Sequence, residues 1–407
     1  MTFRSFHAAI ALLLAGCGAS PSQSADAPSS GRPFAVHEVA TFNSPWAMAF
    51  LPGSTTALVT EKPGRIWLVD TRSGNKRPVS GVPRVVVSSQ GGLLDVALSP
   101  HFATDNLVYL TYAEPSSNRG SGLAMAKAKL VRNSAGAALQ GMQLLWHDPA
   151  GGEGGQFGAI IAFAPDGKSL FLSSGERQRF TPAQDPNQPL GKILHLTLDG
   201  KPAPGNPMAG RVGASIVTIT DPPEDTEAAK TATGRRFRWP GPNLTPAETW
   251  SSGHRNPYGL AFDAQGRLWS EEMGPRGGDE LNLILPGKNY GWPLVSEGRN
   301  YDGVPIPPPS SRPDLEPAKL FWNPVISPST LLIYDGKMFP QWKGSGFIGA
   351  LSGKALVRVT FNGTSAQKAD RWDMGNRIRW VGEGPDGAIY LLEDGNGAKL
   401  LRLTAAR

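Results

Sequence analysis

The sequence predicts an all-β chain folded as a six-bladed β-propeller, on three observations. First, 49 glycines and 37 prolines, about a fifth of the 407 residues, sit in a chain that is 40% hydrophobic. That composition excludes disorder over most of the length and favours a core cut by many tight turns. Second, only 18% of residues are charged, below the roughly 25% of an average domain, so charged helix faces should be few. Third, one short hairpin pattern recurs six times along the chain.

Taken in order, residues 1–16 read as a signal peptide of the lipoprotein type. Arg4 precedes an apolar run from Ala8 to Ala15, too short for a bilayer span of about 20 residues but suited to a signal core. Leu14-Ala15-Gly16-Cys17 resembles a bacterial lipobox, in which cleavage leaves a lipidated cysteine at the new N-terminus. A plain secretory signal is the alternative, but it leaves unexplained why the chain's single cysteine falls there. Residues 17–33, mostly Gly, Ala, Ser and Pro, make a flexible tether spanning roughly 20–25 Å. The propeller, residues 34–407, is thus expected on the periplasmic side of a bacterial membrane, anchored through Cys17.

The hairpin copies begin at Ala47-Met-Ala-Phe-Leu-Pro-Gly53, Val96-Ala-Leu-Ser-Pro100, Ile161-Ala-Phe-Ala-Pro-Asp-Gly167, Leu260-Ala-Phe-Asp-Ala-Gln-Gly266, Leu331-Leu-Ile-Tyr-Asp-Gly336 and Val381-Gly-Glu-Gly-Pro-Asp-Gly387. Second strands such as Arg65 to Val69, Leu107 to Tyr112 and Ala388 to Leu392 follow the turns. Gly supplies the positive φ of each turn and Asp caps it. The turns lie 48, 65, 99, 70 and 51 residues apart, the shortest spacings matching one four-stranded blade. Only 22 residues follow Pro385, so the last blade is short of a strand that Phe34 to Ala40 could supply, hiding both sheet edges. The polar stretch between Gly205 and Trp250 reads as a long surface loop, with a lid over the site as the sharper alternative.

A net charge of +6 with no basic run longer than a pair excludes nucleic-acid binding. One cysteine excludes an internal disulfide framework, and the lack of Cys-x-x-Cys-His excludes a c-type haem.

Five further segments exceed what a propeller needs: Gln90-Gly-Gly-Leu-Leu-Asp-Val96; Gly253-His-Arg-Asn-Pro-Tyr-Gly259; Glu272-Met-Gly-Pro-Arg-Gly-Gly-Asp-Glu-Leu-Asn282 with Asn289-Tyr-Gly-Trp-Pro293; Ala350-Leu-Ser-Gly-Lys354; and Asn376-Arg-Ile-Arg379. In this order they resemble the soluble quinoprotein sugar dehydrogenases, the glucose/sorbosone dehydrogenase family. The resemblance implies a six-bladed propeller holding pyrroloquinoline quinone (PQQ) with Ca²⁺, oxidising aldoses at C1 to lactones. Its electrons would pass to a periplasmic or membrane acceptor. Arg377 and Arg379, two apart on a strand, point to one side and toward one anion, although a solvated strand face has the same pattern. By resemblance Lys354, Arg377, Arg379, Arg255 and Asn256 line the quinone, with Gln90 alongside. The carbonyls of Gly274 and Pro275 would hold Ca²⁺, which prefers oxygen ligands. Glu280 and Tyr290 match a second, structural calcium site.

The pattern breaks at its chemical centre. The family's His-Phe-Gly-Gly-Arg segment, whose histidine is the general base, reads here Gln156-Phe157-Gly158-Ala159-Ile160. An amide can hold a hydroxyl but cannot accept its proton near neutral pH. His147, expected in the preceding loop, and Glu153 are the nearby titratable groups, and His254 belongs to a motif that does not use it as a base. Thr330 and Trp380 replace the family's usual glycine and aspartate. Two other readings stay open: a catalytically silent propeller that binds quinone or sugar, and a lactonase-type propeller, which would need inward carboxylates.

Overall fold

The computed structural model describes residues 31–116, 120–133, 136–220 and 232–406. The signal segment, Cys17 and the tether up to residue 30 lie outside the described residues. The fold is all-β: among the described residues 26 strands are joined by turns and loops, a few of which carry a helical turn of three or four residues, and no helix is long and apolar enough to cross a membrane.

The strands form four sheets of four strands, one sheet of eight, and a small two-stranded sheet. The eight-stranded sheet joins two four-strand runs through a short parallel contact, Val79 with Ala137 and Ser80 with Ala138. Each run is an antiparallel meander. Its first strands are Pro45–Phe50, Leu93–Leu98, Gly158–Phe163, Pro257–Phe262, Pro328–Ile333 and Ile378–Glu383, and these touch one another in a closed ring. The run begun by Ile378–Glu383 is completed by Phe34–Asn43, which pairs with Asn396–Ala405 from Phe34 opposite Ala405 to Asn43 opposite Asn396. Both chain ends therefore meet in one sheet.

Apolar residues fill the gaps between neighbouring sheets. Trp269 and Trp322 are fully buried against Ile348 and Val357 of the next sheet, and Phe34 packs edge-on to Trp372. Each first strand carries a register shift close to its start, at Pro45/Met48, Leu93/Val96, Gly158/Ile161, Pro257/Gly259, Pro328/Leu331 and Ile378/Trp380. A bulge re-aims the side chains before it without disturbing the packed strand after it.

Four local expectations are corrected. The stretch from Gly205 to Trp250 is not simply a loop: Ile216–Thr220 pairs with Gly234–Arg238, and a helical turn, Thr245–Glu248, leads into strand Thr249–Ser252. Its alternating Val217 and Ile219 bury against Ala150, which is why it folds. Residues 221–231 lie outside the described residues. The turn after Ile333 is not tight, because residues 334–345 carry a helical turn at Pro340–Trp342 before the next strand. Strand Thr56–Glu61 precedes Arg65–Asp70, which is the third strand of its run. His147 ends strand Gly136–His147 and pairs with Glu114.

Candidate active site

Most of the site residues read from the sequence gather at one edge of the ring. Gln90, Gln156, Arg255, Asn256 and Arg377 lie just before first strands, upstream of the bulges, and Arg379 lies at one. Gly274, Pro275 and Lys354 lie just after second strands. Because first and second strands are antiparallel, the start of one and the end of the other share an edge.

Gln156 is buried in a loop held on all sides. Its amide donates to Gln90 Oε1 at 2.8 Å, and the Tyr258 hydroxyl donates to the same oxygen at 2.7 Å. Gly155 donates to Gln178 Oε1 at 2.7 Å, and a Cβ on Gly155 would fall 2.8 Å from the Gln90 side chain. Asn256 is completely buried, and its Oδ1 accepts from Gly158 at 3.1 Å. Asn256 therefore fixes the Gln156 loop. Arg177, absent from the sequence reading, donates to the carbonyls of Gly152, Gly154, Gly155 and Ser121, its guanidinium 3.8 Å from the Phe157 ring centre. Gln156 itself sits at φ 57°, the left-handed region.

Neither histidine that the sequence places near the site stands ready as a substitute base. His254 is completely buried, with Nε2 on Ser251 and Nδ1 on Glu272, and it stacks on Tyr290. His147 is held by Glu114, whose hydrogen bond raises its pKa.

Arg377 and Arg379 do converge on one anion, and that anion is Asp394. Their Nε atoms donate to its two oxygens at 2.8 and 3.0 Å. Burial alone would raise the Asp394 carboxyl, but Arg379 and Arg377 together hold it below its ordinary value. Lys62 stands in the same field: burial and then Arg379 lower its pKa, and its ammonium donates to Ser89 O at 3.1 Å. Three cations thus share one carboxylate. Lys354 is exposed on a left-handed turn, φ 49°, with no side-chain partner among the described residues. The departures at Thr330 and Trp380 are absorbed here: Thr330 Oγ1 donates to Arg379 O at 3.0 Å, and the Trp380 ring covers Gly382.

The opposite side is acidic. Glu271, Glu272, Asp279 and Glu280 lie on adjacent strands Leu268–Glu272 and Asp279–Ile284. Asp279 is satisfied by the amides of Gly274, Ile326 and Ser327, yet burial lifts its pKa to about 6. Burial, with Glu272 beside it, lifts Glu280 to about 8. Glu271 is completely buried, neither oxygen has a hydrogen bond among the described residues, and desolvation pushes its pKa well up. Glu272, Glu280, Tyr290, Gly274 and Arg255 line one cavity of about 10 Å³, the size of a single ion or water. The Tyr290 hydroxyl is committed elsewhere, to Leu283 O and the amide of Leu285. Arg255 does not point to open space: its Nη1 donates to Met273 O at 3.1 Å and Gly274 O at 2.8 Å, and Nη2 reaches the Tyr301 hydroxyl at 3.4 Å.

Lys62, Arg177, Glu271 and Asp394 were not legible as site residues. The one available signal was positional, since each lies at or just past the end of a second strand, as Gly274 and Lys354 do.

The chain is similar to known proteins along most of its length. The chain is 34% identical over 366 residues to the aldose sugar dehydrogenase YliI of Escherichia coli (strain K12), covering 88% of this chain and 90% of that protein. Among solved structures, a glucose dehydrogenase superposes with TM-score 0.78 at 38% identity, covering 91% of this chain and all of that one. The PQQ-bound form of aldose sugar dehydrogenase from Streptomyces coelicolor superposes with TM-score 0.67 at 29% identity, covering 93% and 99%. The Glucose / Sorbosone dehydrogenase family pattern matches residues 42–219 and 240–402, so the chain belongs to that family.

Proposed function

We propose that this chain is a six-bladed propeller that oxidises aldose sugars at C1 to the lactone, using PQQ and Ca²⁺, with proton removal slowed by Gln156. The blade count rests on the closed ring of first strands. The observation that carries the reading is the surplus of positive charge at Asp394, where Lys62, Arg377 and Arg379 face a single carboxylate. A tricarboxylate fits that surplus. Arg377, Arg379 and Lys354 would hold its carboxylates. The carbonyls of Gly274 and Pro275 are hard donors suited to Ca²⁺, which would share Gly274 O with Arg255. Glu280, at the ion-sized cavity, suits a second calcium. The bound quinone supplies a two-electron hydride acceptor.

The protein's own contribution is positioning. Arg177, Asn256 and Gln90 hold the Gln156 loop rigid, so the Gln156 amide can bind a C1 hydroxyl but cannot take its proton. A positioned base contributes about 10²–10⁴ in rate. Gln156→His is therefore expected to raise saturating turnover toward that factor with little change in quinone affinity. A smaller gain is expected than with Gln156→His/Ile160→Arg, because groups of one catalytic unit are not additive. The test is aldose-dependent dye reduction by protein reconstituted with PQQ and Ca²⁺. A wild type as fast as Gln156→His would refute the missing-base reading, and quinone binding without turnover in every variant would favour a silent binding protein. Cys17 would carry the lipid anchor after signal cleavage: Cys17→Ser should move the protein from the membrane fraction, and unchanged partitioning would refute it.

A further inference from the structure

A second cavity, of about 720 Å³, opens among the loops of the sheet begun by Pro257–Phe262. Its wall carries Arg276 and Arg299, both exposed. The two are directly paired, the amide of each donating to the carbonyl of the other at 3.0 Å. Residues paired in this way send their side chains to the same face, with Cα atoms about 5.5 Å apart. Like charges opposed across a bridge repel, so the arrangement costs stability unless something neutralises it. Among the described residues, neither guanidinium has an ion pair, a side-chain hydrogen bond or an aromatic ring to rest on. Glu297, the only carboxylate on the wall, is paired with neither; burial raises its pKa, and its charge is felt instead at Glu280.

We propose that Arg276 and Arg299 form an anion-binding site for a sugar bearing a phosphate or carboxylate. Two planar guanidinium forks on one face match the oxygens of such a group. The cavity volume lies within the roughly 300–1,000 Å³ of small-molecule sites, large enough for a sugar ring as well as its anion. The Asn323 amide offers a hydroxyl partner, and Pro305 and Ile306 offer apolar surface to a ring's CH face. No residue of the Gln156 loop lines this cavity, although Arg276 directly follows Pro275, and anion binding here needs no quinone chemistry.

Isothermal titration of the purified protein at low salt, with inorganic phosphate and with glucose 6-phosphate, tests the site. Glucose 6-phosphate should bind at least tenfold more tightly than phosphate, and R276Q/R299Q should weaken it at least tenfold. Both side chains are exposed and their mutual repulsion is removed, so the double variant should melt no lower than the wild type. The R276K/R299K variant, which keeps the charge but loses the forks, should fall between the two. Absence of binding, or an affinity unchanged in R276Q/R299Q, overturns the site. Equal affinity for phosphate and glucose 6-phosphate overturns the sugar.

Discussion

Around Asp394, three cations share one carboxylate; two sheets away round the ring, Glu271, Glu272, Asp279 and Glu280 crowd together with Arg255 and, further off, Arg379 as the positive charges felt there. The basic side stays partly wet and holds its acid ionised. The acidic side is dry and pushes its acids toward the neutral form. Both imbalances arise at the same edge of the ring, where side chains lie outside the packed core. One side is built to gain from an added anion and the other from an added cation, and the two should respond to pH with opposite signs.

Glu280→Gln should have the largest effect. A carboxyl lifted to about 8 from an ordinary 4.5 stabilises nothing when ionised. Its cost is absent below about 4.5 and grows as pH rises through about 8. Without metal, the variant should be more stable than wild type at pH 8 by on the order of 3–5 kcal/mol, and equal to it near pH 4.5. Denaturant titration in a chelator at both pH values checks this, and a gain independent of pH would break the comparison.

The basic side should show the reverse sign. Asp394 is held below its ordinary value, so its contribution is complete above about 4 and is lost as pH falls through the lowered value. Arg379, with a side chain only 12% exposed, shares that buried carboxylate. Arg379→Ala should cost about 2–3 kcal/mol at pH 7 and shift the acid-unfolding limb to higher pH. Arg377 is 46% exposed, and Arg377→Ala should cost under about 1 kcal/mol. Equal losses in the two variants would show that burial does not set the strength of this clamp.

Much of the fold was legible because local chemistry dictates it. Pro-Asp-Gly after an apolar strand specifies a turn wherever it falls, and the short tail after Pro385 implied a strand from elsewhere. The tight turn expected at Tyr334 was not legible, because the residues that fill 334–345 satisfy Tyr334 through contacts distant in sequence, such as its hydroxyl donating to Gly387 O. The arginine pair was legible as aimed at one anion, since period-2 alternation fixes the side. That the anion is Asp394 was not, because it depends on the pairing of Ile378 with Glu393. Arg177 carried no signal beyond its position after a second strand: four carbonyls converge on it only after the glycine-rich loop has folded around Phe157.

The closing strand also governs when the molecule can finish folding. Phe34–Asn43 emerges early in synthesis, yet its partner, Asn396–Ala405, is made some 350 residues later. Until Asn396–Ala405 has been made, the early strand has no register to adopt and the sheet begun by Ile378–Glu383 stays incomplete. Joining segments some 350 residues apart carries a loop-closure cost of about 5 kcal/mol, which the finished sheet recovers all at once. A nascent chain stalled before Asn396 would keep two unpaired strand edges, the species most prone to pairing with a neighbour instead.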